Sequence, residues 1–407
     1  MYITFFLVLF YPFKGLISAS LFLIIGADVS FAIVRFSIIF VLFFVSLNLL
    51  IYNITFLTKV DKILFFIGIF GFLIGIAKMD MNFLYNTTLL FGLPVAFAEF
   101  RKINDTHFFK FTFVFFSMST IYMLIENILF QPKYYGLGFE PISREAILNY
   151  SQLLIGTTKV NIADYRGAAG FIRTSGYLGN VLALPVFLTM GSTYFYVLVR
   201  EKPKIINFIF SIVSIYILFV SLSTTAILAF ALSALFYELF INKSALSIVI
   251  ISFIIIGILI YIFSTQVGSY LFQRLITNLN NPIYFDLYFD FSKLLLPQNI
   301  VYLLIGKWGG WLHTFQADMI AILMSYGVIA GYFLYKRMLG PINIARKSDN
   351  ILLKIFSITI LPAFICLYHE WMTLNINVMF LVTLFIVKSN EISLNEVHAS
   401  RVNLIYK

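Results

Sequence analysis

The chain has 407 residues, 61% of them hydrophobic and only 11% charged, with a net charge of +10 and a mean hydropathy of +0.96. A soluble domain carries about 25% charged residues, so this chain could not cover a soluble core of its size, and that class is excluded. The basic excess forms no run with interleaved aromatics on a soluble domain, so no nucleic-acid partner is expected; Lys and Arg gathered in short cytoplasmic loops explain most of it.

A spanning helix needs about 20 mostly apolar residues. Twelve segments meet that description, at approximately 3–25, 29–57, 61–78, 83–100, 108–130, 177–199, 205–220, 223–241, 245–265, 315–335, 351–368 and 371–388. The first carries Pro12 and Lys14 and reads as a broken element or two shorter ones. It lacks a basic start and a small-residue cleavage site, so it is expected to be a retained transmembrane helix rather than a cleaved signal. Two long polar stretches, 131–176 and 266–314, interrupt the series. The expected fold is an all-α polytopic membrane protein of about twelve transmembrane helices with two long periplasmic loops. With no soluble domain, linker or internal repeat visible, residues 1–407 read as a single polytopic transmembrane domain.

Orientation follows from the short connections. Lys59 and Lys62, Arg101 and Lys102, the trio Arg200, Lys202 and Lys204, then Lys243, and finally Lys336, Arg337, Arg346 and Lys347 alternate with turns near 26–29, 79–81, 221–224 and 369–371 that have no Lys or Arg. This is the positive-inside pattern. It predicts both termini in the cytoplasm and both long loops outside. Long loops translocate largely regardless of charge, so their own cations do not count. Cys366 is the only cysteine; it excludes an intramolecular disulfide and a cysteine metal cluster and reads as a packing residue. The 48 Phe and 24 Tyr supply lipid-facing bulk and interfacial belts. Tyr134, Tyr135, Trp308 and Trp311 sit at loop edges, as interfacial anchors or as sugar-stacking surfaces.

The residues able to carry chemistry cluster in the outer stretches. Arg166 and Arg173 flank Gly167-Ala168-Ala169-Gly170, small residues that let the backbone approach a ligand. A guanidinium fork matches phosphate oxygens and is always charged, and on a helix two arginines seven apart share a face. The plainer reading is a pair of solvated loop charges, or pairing with Asp164. His313, at the outer mouth of the tenth span, can accept a proton near neutral pH, or is simply an interfacial histidine satisfied by water. Asp318 lies further into that span, where an acid is a functional candidate by default. Arg274 precedes Asp286 and Asp290 and either binds a second phosphate or pairs with those acids. His369 and Glu370 in the last outer turn orient a substrate or cap a hairpin. No His or Cys spacing suggests a metal site, and no phosphate-loop or dinucleotide fingerprint is present, so neither metal nor cofactor is expected.

The segment Arg173-Thr174-Ser175-Gly176-Tyr177-Leu178-Gly179-Asn180 resembles the Arg-x-x-Gly motif that opens a span after the first long loop in the Wzy O-antigen polymerases and the related O-antigen ligases. The stretch from His313 through Tyr326-Gly327-Val328-Ile329-Ala330-Gly331 resembles their His-Asn-x-x-Leu…Gly-x-x-Gly helix, and Ser221-Leu222-Ser223-Thr224 their Ser-x-Ser-Arg turn. Thr314 and Thr224 stand where that family usually has Asn and Arg, and the second loop lacks a clear Ser-Gly-Arg element, so Arg274 is the substitute candidate there. The resemblance implies a metal-independent membrane glycosyltransferase of the bacterial inner membrane. Its substrate would be an undecaprenyl-pyrophosphate-linked oligosaccharide, and its product an O-antigen or capsule polymer. It also implies contact with membrane lipids and a chain-length regulator as partner. In that reading His313 and Arg173 are catalytic, and Arg166, Arg274, Asp318, His369 and Glu370 bind substrate. The alternatives are an O-antigen ligase acting on lipid A-core, and a polysaccharide flippase. A flippase should show pseudo-repeats and charges along a midplane path, whereas these charges concentrate in outer loops.

Overall fold

The computed structural model describes residues 57–79, 87, 103–130, 184–220, 223–243, scattered positions between 247 and 276, and residues 296–308, 318–366 and 376–405. Its elements are helices, and no strand occurs among the described residues. In chain order they are α1 (Lys59–Ala77), α2 (Asp105–Phe130), α3 (Leu184–Glu201), α4 (Ile205–Val220), α5 (Thr224–Phe236) with a π-helical turn at Tyr237–Asn242, α6 (Pro297–Ile305), α7 (Asp318–Ala345), α8 (Ile351–Cys366) and α9 (Ile376–Ile405). A chain this apolar has few other options. In hydrocarbon every backbone N–H and C=O must be paired within the protein, and an α-helix does this inside a single apolar segment.

Three helical stretches, Lys59–Ala77, Asp105–Ile125 and Thr225–Asn242, are long and apolar enough to cross a membrane; Ile205–Phe219 and Ile351–Cys366 are shorter apolar helices. Their outward faces are apolar as well as their inward ones. On α1, Leu64, Phe65 and Phe72 are buried, while Phe66, Phe70, Leu73 and Ile76 are exposed. On α2 the exposed row is Val114, Met118, Ile121 and Ile125, spaced by three or four residues so that it runs along one face. Exposed apolar rows of this length are not tolerated in water, and they make this a membrane-embedded protein. Helices occur at eight of the twelve expected spans; those at 3–25 and 29–57 lie outside the described residues, save Leu57, and those at 83–100 and 245–265 are described only at isolated positions.

Two expectations are corrected. The tenth span is not one uninterrupted helix over 315–335: it breaks at Gly327 and continues to Ala345. The stretch 266–314 is not wholly a polar loop, because α6 lies within it. Pro297 starts that helix, where its missing N–H costs nothing, and Ile300, Val301, Leu304 and Ile305 are exposed along it. The helix at the twelfth expected span, α9, runs on past Lys388 to Ile405.

The described helices fall into two compact units. One contains α1, the first turn of α2, and α6 to α9. Phe108, at the start of α2, is edge-on to Phe356 of α8 and Phe385 of α9, with ring centroids 4.8 and 5.7 Å apart. The other unit contains the rest of α2, α3, α4, α5 and the π turn. Its core is aromatic. Phe116 meets Phe187 and Tyr194 of α3, and Phe195 stacks on Phe210 of α4 at 5.3 Å. Gly191 leaves the room that the Phe116 ring occupies. Buried hydroxyls also link its helices: Ser192 Oγ donates to the Ser214 carbonyl across α3 and α4, and Thr112 Oγ1 of α2 donates to the Tyr194 hydroxyl of α3.

Candidate functional site

Of the residues singled out by sequence, Arg166, Arg173, Arg274, His313, His369 and Glu370 lie outside the described residues. Asp318 is the first residue of α7, and its side chain lies outside the described set. What the structure does describe is the frame around the His313 segment: Trp308 on one side of it in sequence and α7 on the other.

That frame is built on two glycines. Gly327 interrupts α7 with φ +82° and ψ +167°, and Gly306, which ends α6, has φ +86° and ψ +151°. Both lie in a region of backbone space essentially reserved for glycine, where another residue is strained by about 1–3 kcal/mol. The two face each other. A Cβ on Gly327 would sit 2.7 Å from the Leu304 carbonyl oxygen and 3.1 Å from the Gly306 nitrogen; one on Gly306 would sit 2.8 Å from the Ser325 carbonyl oxygen. Breaking a helix frees carbonyls that in an apolar setting must find donors. Here the Lys307 N–H donates to the Met324 carbonyl at 2.8 Å and the Trp308 N–H to the Ser325 carbonyl at 3.2 Å. The chain leaving α6 therefore replaces the hydrogen bonds that the helix gave up.

Trp308 is half-buried and held by several named partners. Its φ is +51°, rare for a non-glycine residue. The indole Nε1–H donates to the Ile305 carbonyl at 2.6 Å, and the Lys78 ammonium donates to the Trp308 carbonyl at 2.8 Å. The ring is edge-on to Phe70 at 5.3 Å and to Tyr326 at 6.0 Å. Gly71 on α1 makes space for it: a Cβ there would meet the indole at 3.3 Å and the Thr87 methyl at 2.7 Å. Sequence reasoning missed Lys78. The one signal was its place beside the turn near 79–81, which is otherwise without cations.

The other end of α1 is charged and buried. Arg337 of α7 donates from Nε to Asp61 Oδ1 at 2.9 Å and from its terminal nitrogen to Asp61 Oδ2, and it also bonds Thr58, the N-cap of α1. Asn390 of α9 accepts from Arg337 at 3.2 Å and returns a bond to the Arg337 carbonyl at 2.9 Å. Two residues before Asn390, the fully buried Lys388 ammonium donates to the Ile103 carbonyl, to Glu391 at 2.7 Å and to Asp105 at 3.2 Å. In the second unit the buried Glu238 carboxylate lies in the π turn. It accepts from Tyr196 at 2.8 Å, Arg200 at 2.7 and 3.2 Å, Asn242 at 2.9 Å and Ser247 at 2.6 Å. Each of these groups spends its charge on named partners, which marks a helix fastening rather than a ligand site. Among the described residues no group of His, Cys, Asp and Glu could hold a metal ion.

No family model matches the chain, and neither a curated protein nor a solved structure resembles it. The fold and the framed segment define a helical membrane-embedded protein with a discontinuous helix. Non-helical backbone within a membrane-spanning region is tolerated where protein buries it or where it lines a cavity.

Proposed function

We propose that this chain is a polysaccharide polymerase of the inner membrane, transferring a glycan from undecaprenyl pyrophosphate to the terminal sugar of a new lipid-linked repeat unit at the outer face. In this reaction the bond from the anomeric carbon to the pyrophosphate oxygen breaks, and its electron pair leaves on the carrier. The acceptor hydroxyl forms the new glycosidic bond and gives its proton to His313. Arg173, with Arg166 or Arg274, stabilises the negative charge that develops on the leaving pyrophosphate. Asp318, His369 and Glu370 contribute to holding the sugars. Both ends of this chain lie in the cytoplasm in this reading.

The observation that carries the proposal beyond the sequence is the position of the Trp308 clasp along α1. Asp61 and Lys78 are seventeen residues apart, about 25 Å on a helix, which approaches the roughly 30 Å of a bilayer core. The Arg337 and Lys388 fastenings are at the Asp61 end, where the basic short loops belong. The chain that leads into His313 is at the Lys78 end. A segregation of this kind is what an enzyme needs if its substrate arrives on a lipid at the face opposite the basic loops.

The test is a gel of surface polysaccharide from a deletion strain complemented with wild type or His313→Ala. Lipid A-core bearing a single repeat unit in the deletion, and a restored ladder with wild type, identifies a polymerase. Lipid-linked polymer accumulating with bare core identifies a ligase instead, and single units trapped inside the cell identify a flippase.

A further inference from the structure

We propose that the Lys78 end of α1 holds the phosphate of an anionic phospholipid, bound by the Lys78 and Lys307 ammonium groups beside Trp308, with a lipid chain lying on the apolar face of α1. The site is separate from the reaction proposed above and does not depend on it.

The two cations are rooted together. The Lys78 ammonium donates to the Trp308 carbonyl at 2.8 Å, and Lys307 is the residue before Trp308. An ammonium has three N–H donors, so Lys78 keeps two for another acceptor, and it is exposed. Lys307 is half-buried. Its backbone N–H is used on the Met324 carbonyl, but its ammonium has no partner among the described residues. No described carboxylate pairs with either lysine; the ion pairs of this unit lie at Arg337 and Lys388. Two like charges this close repel, and an anion between them removes that cost. Their place is also unusual. The other short-loop cations gather at the Asp61 end, whereas these two stand at the opposite end of α1.

The surface next to the cations is apolar and directed. A Cβ on Gly71 would meet the Trp308 indole at 3.3 Å, and Gly71 is seven residues from Lys78, about 10 Å along a helix. The indole therefore runs from the ammonium level toward the Asp61 end, with its carbonyl at the polar end. That is how a tryptophan sits at a membrane interface. Phe70 lies edge-on to the ring at 5.3 Å. Phe66, Phe70 and Leu73 are exposed on one face of α1, and Ile305, whose carbonyl holds the indole N–H, is exposed as well. Cations at the rim, an aromatic ring beneath them and an apolar strip beyond match a lipid whose phosphate is charged and whose chains are not. A free phosphate would leave the strip unused. A zwitterionic headgroup would bring its own cation to two lysines.

The test uses the full chain in phosphatidylcholine nanodiscs, titrated with phosphatidylglycerol carrying brominated chains, which quench tryptophan on contact. The chain's tryptophans are at 308, 311 and 371. None is on a basic short connection, so lipid gathered at the other end is silent. Brominated phosphatidylglycerol should quench at a lower mole fraction than brominated phosphatidylcholine, and Trp308→Phe should remove that excess. Lys78→Met and Lys307→Met should each raise the half-quenching fraction by about 5-fold, the effect of one lysine beside an anionic lipid, and the double variant by about 25-fold if the two add. Lys307→Arg should keep the wild-type value. Lys347→Met, an exposed lysine beyond Arg337, should leave it unchanged.

Lys78→Met gives up the bond to Trp308, but Lys307→Met leaves the backbone bonds of the clasp in place, so the proposal is exposed even where the first variant folds poorly. Equal quenching by the two lipids overturns it. So does wild-type behaviour of Lys307→Met, or an excess that survives Trp308→Phe. If inorganic phosphate at millimolar concentration abolishes the excess, the lysines take a free anion and the lipid assignment fails.

Discussion

Arg337 and Asp61, separated by 276 residues of chain, meet through two parallel hydrogen bonds at the charged end of α1. Their side chains are 12% and 3% exposed, so neither charge has much water to fall back on. Removing one partner of a buried pair strands the other. Arg337→Met is expected to destabilise the protein by about 3–5 kcal/mol, read as a loss of thermal stability in detergent. Arg337→Lys should recover little, because a single ammonium cannot make the parallel bonds to Asp61 and also reach Asn390.

Lys388 gives a ranked prediction. Its side chain is fully buried, whereas Glu391 is 14% and Asp105 38% exposed. Lys388→Met leaves two carboxylates and the Ile103 carbonyl without their shared donor, and should cost the most. Glu391→Gln should cost about 1–2 kcal/mol, in the range of a hydrogen bond to a charged group. Asp105→Asn should cost less than either, since water already reaches that carboxylate. Melting temperatures in the reverse order would show that the ammonium does not depend on burial for its strength.

Glu238 collects its donors from Tyr196, Arg200, Asn242 and Ser247. The π turn that holds it ends at Lys243 in a left-handed conformation, whose N–H donates to the Glu238 carbonyl. Glu238→Gln removes the charge opposite Arg200 and should cost about 3 kcal/mol or more. Ser247→Ala removes a single donor and should cost about 1 kcal/mol. Equal losses from the two variants would show that the ion pair adds nothing beyond one hydrogen bond.

Three glycine-to-alanine changes separate space from backbone conformation. At Gly331 the one close approach of the new Cβ is to the end of the Leu323 side chain, at 2.3 Å, which can rotate away. At Gly191 it meets the edge of Phe116 at 3.2 Å inside a packed aromatic cluster, with an expected cost of about 1–2 kcal/mol. At Gly327 it meets backbone, and φ forbids it as well. The expected order of destabilisation is Gly327, then Gly191, then Gly331, checked by thermal unfolding of the three variants side by side.

For the chemistry, Arg173→Ala is expected to abolish long polymer, and Arg173→Lys to rescue it poorly, because a point charge lacks the fork that grips phosphate oxygens. His313→Ala is expected to lose activity at normal expression. Full-length ladders from Arg173→Ala would remove Arg173 from the site.

The sequence alone determined the class of this protein and the course of most of its helices. So few charges put the chain in a bilayer, and the continuous apolar runs at 61–78, 108–130, 205–220 and 351–368 are matched by helices because a helix satisfies the backbone of such a run within the run itself. The cap at Thr58, whose hydroxyl accepts from the Asp61 N–H, is likewise local chemistry. The break at Gly327 was a matter for the tertiary structure. Apolar residues flank it on both sides, and glycines are common in spanning helices, so hydropathy runs straight through it. Its stability depends on amide groups at 307 and 308, from another part of the chain. The same holds for Asp61 with Arg337 and for Lys78 with Trp308. A loop's worth of charge reads the same in sequence whether it faces water or a partner, and only packing brings together groups separated by more than 200 residues.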